Sequence, residues 1–224
     1  MHRFFYIVIL FMLVTFPQDA LKAGGGASAV GVESPLSEDI TVSWSISVAS
    51  GKGGDLGLAE TYNGGVETLF ATGGQARIRL VSLMRIQSIF MTAAGDQAKS
   101  FIVVKESGKD KYVTRLTEEE WKKYNKKYAG AVCKLTEDTT EVLHFSCKKA
   151  IVTLKNGRVI TAWYTTAIQA PAFSFLEPAF SAVPGLVLKY EYTYKRKTIT
   201  YTATSISHAP IERAVFKAPA GSGA

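Results

Sequence analysis

The side chains best suited to chemistry are few and scattered along this 224-residue chain. Beyond His2 at the start there are two histidines, His144 and His208, and no Gly-x-Ser-x-Gly elbow, His-Glu-x-x-His signature or cysteine pair at zinc spacing accompanies them. Isolated histidines at strand ends more often serve structure than ligation. Asp55, Asp96, Asp110 and Asp138 all stand in turn-like surroundings, where an aspartate usually bonds its own backbone. No nucleophile, base and orienting group are brought together, so the expectation is a protein that is not an enzyme, with no catalytic residue, cofactor or metal ligand.

Cys133 and Cys147, with 13 residues between them, are the remaining reactive pair. In an oxidising compartment they form a disulfide candidate, whose loop adds about 3 kcal/mol in the chain-entropy model. The alternative is two separate buried thiols, because spacing says nothing about strand register.

The compartment follows from the N-terminus. His2 and Arg3 precede the apolar run Phe4 to Phe16, which Pro17 ends, and small residues follow at Ala20, Ala23 and Gly24. Thirteen apolar residues fall short of the roughly 20 that a membrane-spanning helix needs. Residues 1–23 therefore read as a secretory signal peptide, with an uncleaved anchor as the alternative. Cleavage after Ala23 removes Arg3, Lys22 and Asp19 and takes the formal charge from +7 to +6. An exported basic protein meets anionic lipid or glycan, not nucleic acid. The lysines cluster at Lys105, Lys109 and Lys111, at Lys122 to Lys127, and around Lys195 to Lys197, as solvated turns and faces do.

Any binding residues must be positioned by strands. After a Gly-rich lead over 24–38, Ile40, Val42, Trp44, Ile46 and Val48 alternate with Thr41, Ser43, Ser45 and Ser47, a strand with one dry face. Further strand-like runs fall at 66–71, 75–82, 85–91 and 100–106, and Asn156-Gly157 marks a hairpin. Leu188, Tyr190, Tyr192 and Tyr194 share one face of a late strand, which a turn at Lys195 to Lys197 joins to the last one. One helix interrupts the series. Thr117 and Glu120 make a capping box, three glutamates open its first turn, and Trp121, Tyr124 and Tyr128 form a stripe. Consecutive hairpins with a single helix imply a mainly β fold, a strongly curved antiparallel sheet or half-open barrel with one covering helix, over a single domain at 39–218 and a tail at 219–224. The helix is either a lid over a cavity or a cover for core.

Two segments carry a family resemblance. The stretch from Val142 to Ile168, with Cys147-Lys148-Lys149-Ala150 and Ala162-Trp163-Tyr164-Thr165, and then Pro178, Phe180 and Val183-Pro184-Gly185-Leu186-Val187, resembles the GLPGLI family of exported bacterial proteins, named for its Leu-Pro-Gly-Leu-Ile core. The ending from Ala214 to Gly221 looks like those of related exported domains. The chain departs from the family at His144, where a glycine is usual, and at Ala182 and Val183, which replace a Gly-Leu opening. The resemblance implies a periplasmic or cell-envelope location in a Gram-negative bacterium and an architecture similar to the LolA-type lipoprotein carriers. It supplies no catalytic residues.

Pro184 fixes its φ and Gly185 tolerates positive φ, so the pair is expected to form a tight turn that launches the strand from Leu186. The apolar segment before it, with Phe173, Phe175 and Phe180, either plugs the barrel mouth as core or borders a site for an apolar ligand. In the second case Trp44, Phe173, Phe175, Phe180, Tyr190 and Tyr192 are the candidate ligand-binding residues, facing one apolar interior. The functional expectation is an exported envelope protein that binds an apolar or lipid-like ligand. The alternative is a structural or accessory envelope protein working through protein–protein contacts. Partners are then lipid, lipoprotein or another envelope protein, and no nucleic acid.

Overall fold

The computed structural model of the protein describes residues 39–50, 59–93 and 98–220. The expected signal peptide and Gly-rich lead, and Asp55 and Asp96 with them, lie outside the described residues. The alternating segment at the start of the domain forms β1 (Ile40–Ser50), with Ile40, Val42, Trp44 and Ile46 all buried. Four strands follow close to their expected places: β2 (Val66–Thr72), β3 (Gln75–Ser82), β4 (Arg85–Thr92) and β5 (Ser100–Ser107). β6 (Asp110–Thr117) leads into helix α1 (Glu118–Tyr124). β7 (Val132–Val142), β8 (Phe145–Thr153) and β9 (Val159–Thr165) come next, then the short helix α2 (Pro171–Leu176), and finally β10 (Leu186–Tyr194) and β11 (Lys197–Ser207).

The strands make one antiparallel sheet of eleven in the order β6-β5-β4-β3-β2-β1-β11-β10-β9-β8-β7. β1 is central: the chain meanders outward from it to the edge strand β6, crosses to the other edge at β7 and meanders back until β11 pairs with β1. β6 and β7 are left as unjoined edges, so the sheet is open. It is also strongly curved: residues of β4 and β9, six strands apart and about 29 Å across a flat sheet, line a single cavity. Register slips at Ser43/Trp44 and at Val187/Lys189 add local bends, and at the second the Val187 carbonyl accepts the Trp44 indole N–H at 3.2 Å.

The link between the edge strands packs against the inner face. Its capping box is formed: the Glu120 N–H donates to the Thr117 hydroxyl at 3.3 Å, and the Thr117 N–H donates to the Glu120 carboxylate at 2.8 Å. α1 ends at Tyr124, earlier than the aromatic stripe suggested. Its buried Trp121 stacks on Phe101 of β5 at 4.7 Å, while Tyr128 belongs to a separate 3-10 turn, Lys126–Tyr128. On the outer face the Arg77 guanidinium lies over Phe90 and donates to the Val215 carbonyl at 3.2 Å, which ties the closing 3-10 turn Arg213–Phe216 to β3.

Two sequence expectations are corrected. Cys133 stands opposite Val152 and Cys147 opposite Thr140, so five residues of β8, about 17 Å, separate the two positions, well beyond disulfide reach. Both thiols are free, and burial raises both above their usual pKa. The second correction concerns Gly185, whose φ is not in the positive region. A Cβ there would lie 2.2 Å from the Thr165 carbonyl oxygen on β9, so the position needs glycine for close approach of two backbones, not for turn handedness.

Candidate functional site

Residues with the strand period build the inner wall. On β2 the inward phase is Glu67, Leu69 and Ala71, on β3 it includes Ile78 and Leu80, and on β10 and β11 it places Tyr190 opposite Tyr201 and Tyr192 opposite Ile199. Leu69 and Ala71 go into solid core, while Glu67, Ile78, Leu80, Tyr190, Tyr192, Ile199 and Tyr201, with Ile89 of β4 and Ile160 of β9, line a cavity of about 400 Å³ on the concave face. That volume lies at the lower end of the range for small-molecule sites. Phe180, delivered by the 3-10 turn that follows α2, meets Tyr190 edge-on at 5.0 Å, and Tyr190 stacks on Tyr201 at 4.3 Å.

Two carboxyl groups sit in this apolar setting. Glu67 is 6% exposed and accepts a hydrogen bond from the Tyr190 hydroxyl at 3.3 Å. Burial pushes its carboxyl well above the usual range, the nearby Glu177 pushes it further, and the tyrosine bond opposes them only in part. Glu177, half-buried on the same cavity, is pushed up to about 7 by burial, against the pull of Lys127. The surrounding phenols are raised as well, with burial as the first cause: Tyr190 and Tyr201 well above their ordinary value, and Tyr192 up to about 12. These tyrosines stay protonated across any ordinary pH; the Tyr190 proton goes to Glu67, and Tyr192 and Tyr201 are hydrogen-bonded to each other. Around the rim stand Arg85, Arg158 and Lys127. The cavity is therefore greasy on its walls, acidic inside and basic at its margin.

The six expected binding residues divide among three places. Phe180, Tyr190 and Tyr192 line the cavity. Trp44 and Phe173 lie in the solid core, stacked at 5.6 Å, with Trp44 fully buried and its indole N–H used by Val187. Phe175 does not share that interior. It projects from the outward side of α2 at 39% exposed, beneath the Lys99 ammonium at 4.2 Å, because residues two apart on a helix point to opposite sides, about 200° around the axis, so Phe173 and Phe175 cannot both face inward. There it borders a second pocket of about 350 Å³ with Phe101, Trp121 and Val152. Tyr128 and Ala179 line both pockets and so separate them.

Sequence reasoning missed Glu67, Glu177 and Tyr201. A signal for the first was present, since Glu67 is in phase with Leu69 and Ala71 and so interrupts an inward face with a charge. Nothing local could mark Glu177, whose neighbours form short helical turns instead of the expected loop. Among the described residues there is no group of three His, Cys, Asp or Glu side chains that could hold a metal ion.

The fold and site thus define an open antiparallel half-barrel with a mixed apolar and acidic cavity. No family model matches the chain, and no curated protein does. The GLPGLI resemblance rests on the quoted segments alone. Among solved structures, the chain is similar to PNGF-II in two crystal forms, with 14% and 15% identity and TM-scores of 0.49 and 0.48. Those matches cover 80% and 81% of this chain but 29% and 30% of PNGF-II, so the chain spans under a third of that protein's length. It is also similar to the lipoprotein LppX of Mycobacterium tuberculosis, at 10% identity and a TM-score of 0.31, over 80% of this chain and 90% of that one.

Proposed function

We propose that the protein is an exported, non-catalytic binding protein of the cell envelope that holds one apolar or lipid-like ligand inside the half-barrel. The observation that carries this reading is the cavity of about 400 Å³, whose aliphatic walls come from both halves of a curved sheet and whose polar groups are gathered at particular points. Aliphatic walls take up acyl or ring surface from water at roughly 25 cal/mol per Å². The tyrosine hydroxyls and the Glu67 carboxyl then orient a polar head, as the few polar groups of an otherwise apolar site do. The apolar run at 4–16 and the GLPGLI-like segments support export and an envelope location. Metal, nucleophile and base constellations do not enter the mechanism, which is binding alone.

Mass spectrometry of an organic extract from the purified protein tests this. The expected result is one amphiphile in near-stoichiometric amount, and a fluorescent long-chain fatty acid that fills the emptied site. Ile160→Trp, which fills the cavity from β9, should lower that occupancy at least tenfold. An extract with no bound organic molecule, together with no uptake of the fluorescent acid, would overturn the reading and leave an accessory role through protein contacts.

A further inference from the structure

Antiparallel pairing brings the β3–β4, β5–β6, β8–β9 and β10–β11 turns to one end of the sheet, which the β1–β2 link also reaches, its Glu60 paired there with Lys197. Between their strands these four turns carry five cations, Lys109, Lys155, Arg158, Lys195 and Arg196, and no carboxylate. The β3–β4 turn differs from the others: it consists of Leu83 and Met84, which are 83% and 74% exposed. At the opposite end the β2–β3 and β7–β8 turns hold Gly73-Gly74 and Leu143-His144, with no lysine or arginine, and the β4–β5 link brings one cation, Lys99, whose ammonium lies over Phe175. Basic hairpin tips are therefore concentrated at one end, and that end is the cavity mouth. Arg85, which follows Met84, Arg158 of the β8–β9 turn and Tyr194, which precedes Lys195, all line the cavity.

Water is a poor environment for two adjacent large apolar side chains at a hairpin tip, and nothing in the described chain covers them. A ring of cations around an apolar apex matches the two forces that hold a protein on a charged membrane: attraction to lipid phosphates and shallow insertion at the headgroup boundary. Among the described residues no helix is long and apolar enough to cross a membrane. We propose that this end docks on an anionic lipid bilayer, with Leu83 and Met84 inserted between headgroups, the surrounding lysines and arginines over the phosphates, and the cavity mouth against the bilayer. The ligand-exchange role of that geometry rests on the cavity reading above. The docking itself rests on the turns.

Sedimentation with vesicles tests the docking in the full mature protein. Vesicles of phosphatidylglycerol and phosphatidylethanolamine should carry the protein down at low ionic strength, and phosphatidylcholine vesicles should not. Binding should weaken with salt, and about fivefold for each cation removed in Lys155→Gln and Lys195→Asn. The double variant Leu83→Ser with Met84→Ser should lose vesicle binding while keeping the wild-type melting temperature and fatty-acid uptake, since both side chains are already in water. Equal binding to both vesicle types, or full binding by the double variant, would overturn the proposal. So would absence of binding to the anionic vesicles, which would favour an acidic protein as the occupant of this face. Vesicle binding without any fatty-acid uptake would uphold the docking and overturn the cavity function instead.

Discussion

Trp44 and Glu67 face one another across the β1–β2 ladder and have opposite roles. Trp44 is 0% exposed, stacks on Phe173 and satisfies its only polar atom at the β10 bulge, so its truncation empties solid core. Trp44→Ala is expected to cost about 3–5 kcal/mol in chemical denaturation, with Trp44 in the wild type shielded from aqueous quenchers. Glu67, buried, and Glu177, half-buried, are instead acids that work against the fold when ionised. The folded pKa of Glu177 is raised from the ordinary carboxylate value to about 7, so the folded state holds its proton longer than the unfolded state does. Stability from this group is accordingly intact below about pH 4.5 and falls as pH rises towards 7. Glu177→Gln should flatten that part of the melting-temperature profile and raise the melting temperature at pH 8. A profile as steep as that of the wild type would show that the carboxyl is solvated in the native protein.

Turn chemistry dominates at the scale of the elements. The Asn156-Gly157 hairpin forms as its sequence implies, with Gly157 at φ 78° and the Asn156 side chain accepting the Arg158 N–H at 3.1 Å. The β7–β8 turn has the same kind of left-handed backbone without a glycine: Leu143 and His144 sit at φ 51° and 66°. His144 occupies the place where the resembling family has glycine, and the geometry explains that preference, since a Cβ in the left-handed region costs about 1–2 kcal/mol. His144→Gly should therefore stabilise the protein by about 0.5–1 kcal/mol after the greater unfolded-state freedom of glycine is offset. The side chain is almost wholly in solvent beside Glu141, so little else is lost. An unchanged or lowered midpoint in urea would contradict this account. The Thr117–Glu120 box and the Asn-Gly turn needed only neighbours a few residues apart. α2, by contrast, follows no start signal stronger than Pro171 at its first turn, and it exists because Phe173 and Leu176 are buried against the sheet.

At the scale of the molecule, the two cysteines show how register overrides spacing. β7 and β8 are neighbours, as a disulfide would require, yet pairing from the tight turn at Leu143-His144 outward sets Cys133 and Cys147 far out of step. Intact mass after alkylation in denaturant should give two modified thiols, with Cys133, which is partly exposed, reacting first under native conditions. Reducing agent should leave the melting temperature unchanged. A mass two hydrogens lighter with no alkylation would indicate a bridge and a different register.

Period-two alternation, turn residues and the capping box were enough to place β1 to β5, the last hairpin and α1, because each depends on neighbours close in the chain. They were also enough to infer a mainly β, curved antiparallel sheet. The inward phase of Tyr190 and Tyr192 was legible for the same reason. The sequence could not say that Trp44 and Phe173 belong to core while Phe180 lines a cavity, since all three are equally apolar and only their contacts tell them apart. Nor could it pair Glu67 with Tyr190, 123 residues away, or gather basic turns from both halves of the chain around one mouth. Those relations arise from sheet order and curvature. A meander out from β1 to one edge and back from the other edge to β1 sets the order, and the curvature sums small twists over eleven strands, so no local pattern contains either.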